Sequence, residues 1–261
     1  MDNSALGARM KEYENVERRY LTRRAPVIVR IDGKAFHSYT RGFEKPFDES
    51  FLWAMRLTMQ DLCRNMMGAK LGYTQSDEIS ILLTDDDTIE TQAWFGKNLQ
   101  KIVSISAAMA TFYFNLRTYQ AIVSPQGLPT EDSFIRASEG FENAWCTNRM
   151  AIFDARAFTI PREEVMNYFE WREQDCTRNS IQSVAQANFS QKQLQGKSCN
   201  EIQNMLLTEK DINWNNYPTA LKRGACARKG PNGWYIDTEI PIFHEQPDYV
   251  NSLVYHDTLC H

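Results

Sequence analysis

The chain is poor in the residues that build thiolate metal centres and disulfide frameworks. Its 261 residues include only 6 cysteines and 4 histidines. Cys63, Cys146, Cys176, Cys199, Cys226 and Cys260 never fall in a C-x-x-C pair. That spacing argues against a structural zinc site and reads as reduced, structural thiols of a cytoplasmic protein. No apolar run approaches the roughly 20 residues that span a bilayer, so no membrane partner is expected. The first twenty residues are polar and lack a signal-peptide core. Internal repeats and low-complexity linkers are missing as well. So is an excess of positive charge, because the net charge is −4. A nucleic-acid partner would therefore have to be held by local basic clusters.

What is present is an ordinary globular composition, 43% hydrophobic and 24% charged, enough for a large core. In "VIVRIDGKAF", Val27, Val29 and Ile31 share one face, while Ile28, Arg30 and Asp32 share the other. Leu52, Met55, Met59, Leu62 and Met66 form a helical stripe between a start at Asp48 or Ser50 and a stop at Gly68. "AKLGYTQSDEISILLTD" reads as two strands around a tight turn. A long helix from about Ile89 to Leu116, a strand in "AIFDARAF" and a helix opened by Pro161 follow. This order predicts an α+β fold whose antiparallel sheet has helices packed on one face. Residues 1–160 form the sheet-bearing part. Residues 161–261 read as a helical region with a capping box at Ser198–Glu201 and a hairpin turned at "GPNG", packed on the first part as one compact unit.

The chemistry starts from Asp32. It stands at the end of a strand, followed at once by Gly33, which lets the backbone turn or approach a ligand closely. Asp77 lies in the turn of the next strand pair, beside Ser76. Two carboxylates brought together from neighbouring strands repel unless a cation joins them. Oxygen ligands of this kind suit Mg²⁺, and two such ions would serve an attacking and a leaving oxygen. Glu78, alternating with Asp77, reads as a strand-edge charge. Lys45, in "GFEKPF", and the pair Lys97 and Lys101, with Asn98 beside them, are candidate triphosphate contacts. Two clusters, "RRYLTRR" at Arg18–Arg24 and "KRGACARK" at Lys222–Lys229, are either solvated surface or nucleic-acid patches. Of these, Lys222, Arg223, Arg228 and Lys229 are the better RNA candidates.

"PVIVRIDGKAFH", "GFEKPFD", "YTQSDEISILL", "IFDARAF" and "YFEWREQDCTRNSIQSVAQANFS", in that order over roughly residues 25–190, resemble the histidine-tRNA guanylyltransferase family. The match is closest to its bacterial and phage guanylyltransferase-like branch, enzymes that extend RNA at its 5′ end in the 3′–5′ direction. The resemblance implies a palm like that of polymerases and nucleotide cyclases. In it Asp32, the Gly33 carbonyl and Asp77 would hold two Mg²⁺ ions. The backbone of Gly33, Lys34, Ala35, Phe36 and His37, with Ser76, would cradle a triphosphate. ATP and GTP are the implied substrates, tRNA the implied partner and a homotetramer the implied assembly. Where the eukaryotic branch carries a histidine-isoleucine-asparagine-asparagine run, this chain reads Thr177-Arg178-Asn179-Ser180, and only Asn179 matches. That departure favours template-directed repair of 5′-truncated tRNA over dedicated addition of one guanosine. Arg172, Asp175 and Asn179, on one helix face, either serve the RNA 5′ end or a second nucleotide or form a polar brace, and Asp154 and Arg156 are candidates for the same RNA end or nucleotide. Another palm nucleotidyltransferase, a nucleotide cyclase and a catalytically silent RNA-binding protein are the competing readings.

Overall fold

In the computed structural model, which describes residues 4–123 and 150–255, six strands form one antiparallel sheet. They are β1 (Val27–Gly33), β2 (Ala69–Gln75), β3 (Glu78–Leu83), β4 (Phe153–Thr159), β5 (Ala225–Gly230) and β6 (Gly233–Asp237), in spatial order β4-β1-β3-β2-β5-β6. The register opposes Asp32 to Glu78 on one side and to Asp154 on the other. Gln75 pairs with Glu78, so Ser76 and Asp77 are the two residues of a tight hairpin turn. Ser76 turns the chain at φ +47°.

Helix α1 (Ala5–Val16) precedes the sheet. Helices α2 (Glu49–Asn65) and α3 (Leu99–Val123) cover one sheet face. There Met55, Met59 and Leu62 meet Val27, Val29, Ile31, Ile79 and Ile81. Asp48 caps α2 by accepting from the Ser50 and Phe51 amides. The second face is not left open. Ile28, Leu71, Tyr73 and Leu82 lie under Val165, Tyr168 and Phe169 of α4 (Val165–Asn188), with Phe243, Val250 and Val254 beside them. Within residues 1–160 α2 and α3 share one face, as the strand and helix order predicts, and the second face is covered by α4 and the segment around Phe243 and Val250 of the later part. The sheet is apolar on both sides over part of its length, as doubly covered strands are.

The long helix begins at Leu99, not near Ile89, because Phe95, Gly96 and Lys97 all take positive φ and break any helix there. Helix α5 (Cys199–Lys210) starts with the capping box at Ser198 and Glu201. It packs on the far half of α4 through Ile181, Val184, Ile202 and Leu206. Strands β5 and β6 form a hairpin that joins the sheet, through pairs of Gly72, Tyr73 and Thr74 with residues of β5. No helix among the described residues is long and apolar enough to cross a membrane.

Candidate functional site

The end of β1 and the β2–β3 turn are tied together by the backbone. The Gly33 amide donates to the Asp77 carbonyl at 3.1 Å. This bond sets Asp77 beside Asp32. Burial lifts the Asp77 carboxyl above its usual range; its own backbone amide pulls the other way, and the Asp32 charge adds to the lift. Gly33 is required for a packing reason that the strand pattern hides. A Cβ there would lie 2.3 Å from the Phe36 ring. That ring is fixed among Tyr39, Phe51, Phe114 and Phe153, with centroids 5.0–6.0 Å away.

Among the described residues no group of three or more His, Cys, Asp or Glu side chains gathers as a metal cage. Two carboxylates, one of them strained by burial and by the other's charge, are nonetheless a fit for Mg²⁺. This ion is commonly held by one or two carboxylates, the rest of its shell being water and substrate phosphate.

A cleft of about 490 Å³ opens at this point. Gly33, His37, Lys45, Asp77, Asn179 and Arg56 are among the residues lining it. The amides expected to cradle a phosphate divide into two groups. Those of Gly33 and Lys34 donate to Asp77 and Ile152 carbonyls and are spent within the protein. Ala35, Phe36 and His37 have no acceptor for theirs among the described residues, and the left-handed turn at Ala35, φ +55°, sets them at the start of a helical turn.

Glu78 has a larger role than a strand edge. It is buried between Arg30, 3.5 Å away, and Arg172 of α4, 2.8 Å away. Arg172 and Arg178 hold Asp175 at 2.5 and 2.7 Å, and Gln75 and Asn179 reach the same carboxylate. Arg172 also stacks on Trp171, 4.2 Å from the ring centre. Arg172 and Asp175 thus brace α4 to the sheet, while Asn179 reaches the cleft. Asp154 and Arg156 are exposed on β4, 3.7 Å apart, in register with Asp32 and Arg30.

Two sequence expectations are corrected. Lys97 does not join Lys101 in a phosphate clamp. It is buried at 4% exposure, and its Nζ lies 2.9 Å from Asp85 and 2.6 Å from the Thr22 and Ala25 carbonyls. Asn98 caps α3 by accepting from the Lys101 amide. This group lies near Val27 and Leu83, five residues of β1 or roughly 17 Å from Asp32. Lys97→Ala is therefore expected to cost about 2 kcal/mol or more of stability, since among the described residues Asp85 then keeps only Arg23 and the Arg24 amide. Triphosphate affinity should not change. Thermal melting and calorimetric titration check the pair; a weakened affinity with an unaltered melt would restore the clamp.

The C-terminal basic cluster is also largely committed. Lys222 donates to the Asn215 carbonyl, Arg223 lies 3.5 Å from buried Glu173, and Arg228 stacks 4.0 Å from the Tyr249 ring centre. Lys229 stands exposed. At the other cluster, Arg23 pairs with Asp85 at 2.7 Å. The residue missed by sequence is Arg56, whose only local signal is that it follows Met55 of the apolar stripe and so borders the buried face of α2.

With this geometry in place, comparison with known proteins is direct. The model of the Thg1 family, tRNAHis guanylyltransferase, matches residues 7–161. An uncharacterized protein of Acanthamoeba polyphaga mimivirus is 30% identical over 87% of this chain and 78% of its own length. The tRNA(His) guanylyltransferase of Saccharomyces cerevisiae is 27% identical over 78% of this chain and 83% of its own. A bacterial tRNA(His) guanylyltransferase (Thg1)-like protein solved with ATP superposes at a TM-score of 0.84, with 47% identity over 97% of this chain and all of that one. A structure of such a protein with GTP gives 0.78 and 42%, with the same coverage.

Proposed function

The chain belongs to the Thg1 family of tRNAHis guanylyltransferases and is a nucleotidyltransferase, and from that premise we propose that it adds nucleotides to the 5′ end of tRNA in the 3′–5′ direction, reading a template strand. The observation that carries this reading is the Gly33–Asp77 backbone bond, which holds Asp77, a residue lining the cleft, beside Asp32 at the end of β1. The ATP and GTP complexes of similar proteins support a nucleotide as its occupant. In this reading the sheet with α2 and α3 is a polymerase-like palm.

The reaction balances as two displacements. A 5′-monophosphate oxygen of the RNA attacks the α-phosphorus of ATP, and pyrophosphate leaves. The 3′-hydroxyl of the incoming nucleotide then attacks the RNA 5′ phosphorus, and AMP leaves. Asp32 and Asp77 would hold Mg²⁺, which supplies charge stabilisation at phosphoryl oxygens. Lys45 and the amides of Ala35, Phe36 and His37 orient the triphosphate. Positioning and electrostatics suffice for such transfers, and no covalent nucleophile is needed. Cysteine has no part in this scheme: burial pushes the Cys176 thiol beside the cleft up to about 12. A homo-oligomer is part of the proposal, supported by α1, which buries no residue, and by Phe112 of α3, 61% exposed.

The test is incubation with Mg²⁺, ATP, GTP and a 5′-truncated tRNA. Extension is expected to stop when the acceptor stem is paired and to follow the opposing bases. Cyclic nucleotide as product would move the reading to a cyclase, and addition indifferent to the template would overturn the repair activity.

A further inference from the structure

Under the proposed reaction two substrates meet at Asp32 and Asp77, a triphosphate and an RNA end. Asp77 lines the cleft and Asp32 does not. Along β1, Ile28, Arg30 and Asp32 alternate onto the second sheet face. Their register partners on β4 are Phe158, Arg156 and Asp154. Directly paired residues share a sheet face, so these three lie on the same side. All three are exposed. Over β4 the apolar cover of α4 therefore ends, and an open strip runs along this strand to Asp32. A second substrate that leaves the cleft to the first can reach Asp32 along it.

The strip carries a chain of aromatic rings. Phe158 lies 5.9 Å from Tyr168, and Tyr168 lies 5.9 Å from Trp171, between ring centres. The middle ring is buried and shares a hydrogen bond with the Ser80 hydroxyl. The outer two are not buried: Phe158 is 38% and Trp171 48% exposed. Arg172 backs the indole, and Glu78 and Asp175 hold that guanidinium in place, so Trp171 is a fixed platform. Exposed cations stand beside both rings. Arg156 shares the strand face of Phe158, and Arg178 shares the helix face of Trp171, seven positions along α4. Each pairs with one partly exposed acid, Asp154 or Asp175, and remains open to water. Rings that offer a face, interleaved with cations, match the alternation of base and phosphate along a single RNA strand. A paired stem buries its base faces, so the fitting occupant is an unpaired nucleotide.

We propose that Trp171 and Phe158 are a stacking platform for unpaired nucleotides of the strand opposite the RNA 5′ end, with Arg156 and Arg178 at their phosphates. Stacking accepts any base, as an enzyme that reads a template of arbitrary sequence requires. This inference rests on the tRNA reading of the site.

The experiment measures binding of the full chain, without triphosphate, to three stem-loop RNAs. One has a blunt 5′ end. The second has a recessed 5′ end, so that the opposite strand overhangs unpaired. The third carries the same overhang with abasic nucleotides, which keep ribose and phosphate and lose the base. The wild type should bind the recessed RNA more tightly than the other two, by roughly fivefold to a hundredfold. Trp171→Leu should bind all three alike, Phe158→Leu should show a reduced preference, and Trp171→Phe should keep most of it. The leucine variants lose no phosphate contact, so the salt slope of binding should stay as in wild type. Arg156→Ala should flatten that slope by slightly less than one unit. ATP affinity and melting of each variant check that the cleft and fold are intact. Should Trp171→Leu melt early, Phe158→Leu and the abasic RNA carry the test. A wild type that binds the abasic and the intact overhang equally would place ribose or phosphate on the strip and overturn stacking. So would a preference that survives in both leucine variants. A change of oligomeric state in Trp171→Leu, seen by sedimentation, would make the strip an interface between copies and overturn it too. Failure of the wild type to bind any of the RNAs is a different result, because it removes the tRNA reading itself.

Discussion

Asp77→Asn should reduce nucleotide addition about a thousandfold or more while making the metal-free protein more stable at neutral pH. The first half follows if Asp32 and Asp77 share a cation that stabilises the transferring phosphoryl group, a contribution of several kcal/mol. The second half follows from the electrostatics of the free site. The folded Asp77 carboxyl sits above its unfolded value, chiefly through burial and further through Asp32. A carboxyl raised on folding binds its proton more tightly in the native state. It therefore costs stability above its raised pKa, and that cost disappears as pH falls to the ordinary carboxylate range. Asparagine removes the cost. Melting without divalent ions should thus favour Asp77→Asn at neutral pH and converge with wild type in acid. Added Mg²⁺ should raise the wild-type melting temperature and leave the variant where it was. An active variant, or one that gains the same stabilisation from Mg²⁺, would remove Asp77 from the metal site. Asp32→Asn should lose activity to the same extent.

The legible part of this site is the part written in neighbouring residues. Strand periodicity put Asp32 and Arg30 on one face and Val27, Val29 and Ile31 on the other, and the structure follows it. The hairpin turn at Ser76–Asp77 was readable from polar residues between two apolar runs. What could not be read was set by partners far away in the chain. Glu78 looked like an edge charge because Arg172, its closest cation, comes 94 residues later. Lys97 looked like one half of a helical pair because nothing at Phe95 or Lys97 announces positive φ. The basic residues of 222–229 looked available because composition does not show that Glu173 and Tyr249 will meet Arg223 and Arg228.

Arg172→Met is expected to destabilise the protein by about 3–5 kcal/mol, on the order of 10 °C in melting temperature for a chain of this size. The Arg172 and Glu78 side chains are 6% and 10% exposed, so neither charge can be handed back to water. Removing the guanidinium leaves Glu78 facing Arg30 at 3.5 Å and Asp175 dependent on exposed Arg178. The pH dependence has a definite sign. Burial already lifts the Glu78 carboxyl, with Arg172 and Arg30 opposing the lift. Without Arg172 it rises further, and the folded protein can then lessen its deficit by taking up a proton. Burial also acts to lift Asp175, but Arg172 and its other partners hold it below its usual value. That lowering stabilises the wild type above the unfolded pKa and is lost as pH falls through the folded one, so Arg172→Met loses this benefit too. Both effects make the deficit largest at neutral and alkaline pH and smaller in acid. Combining Arg172→Met with Glu78→Gln should recover part of the loss, because the buried charge is then gone from both sides. At a temperature where Arg172→Met is folded, addition to saturating RNA should fall far less than in Asp77→Asn. A melt equal to wild type together with lost RNA extension would reverse the assignment and make Arg172 a contact for the RNA end.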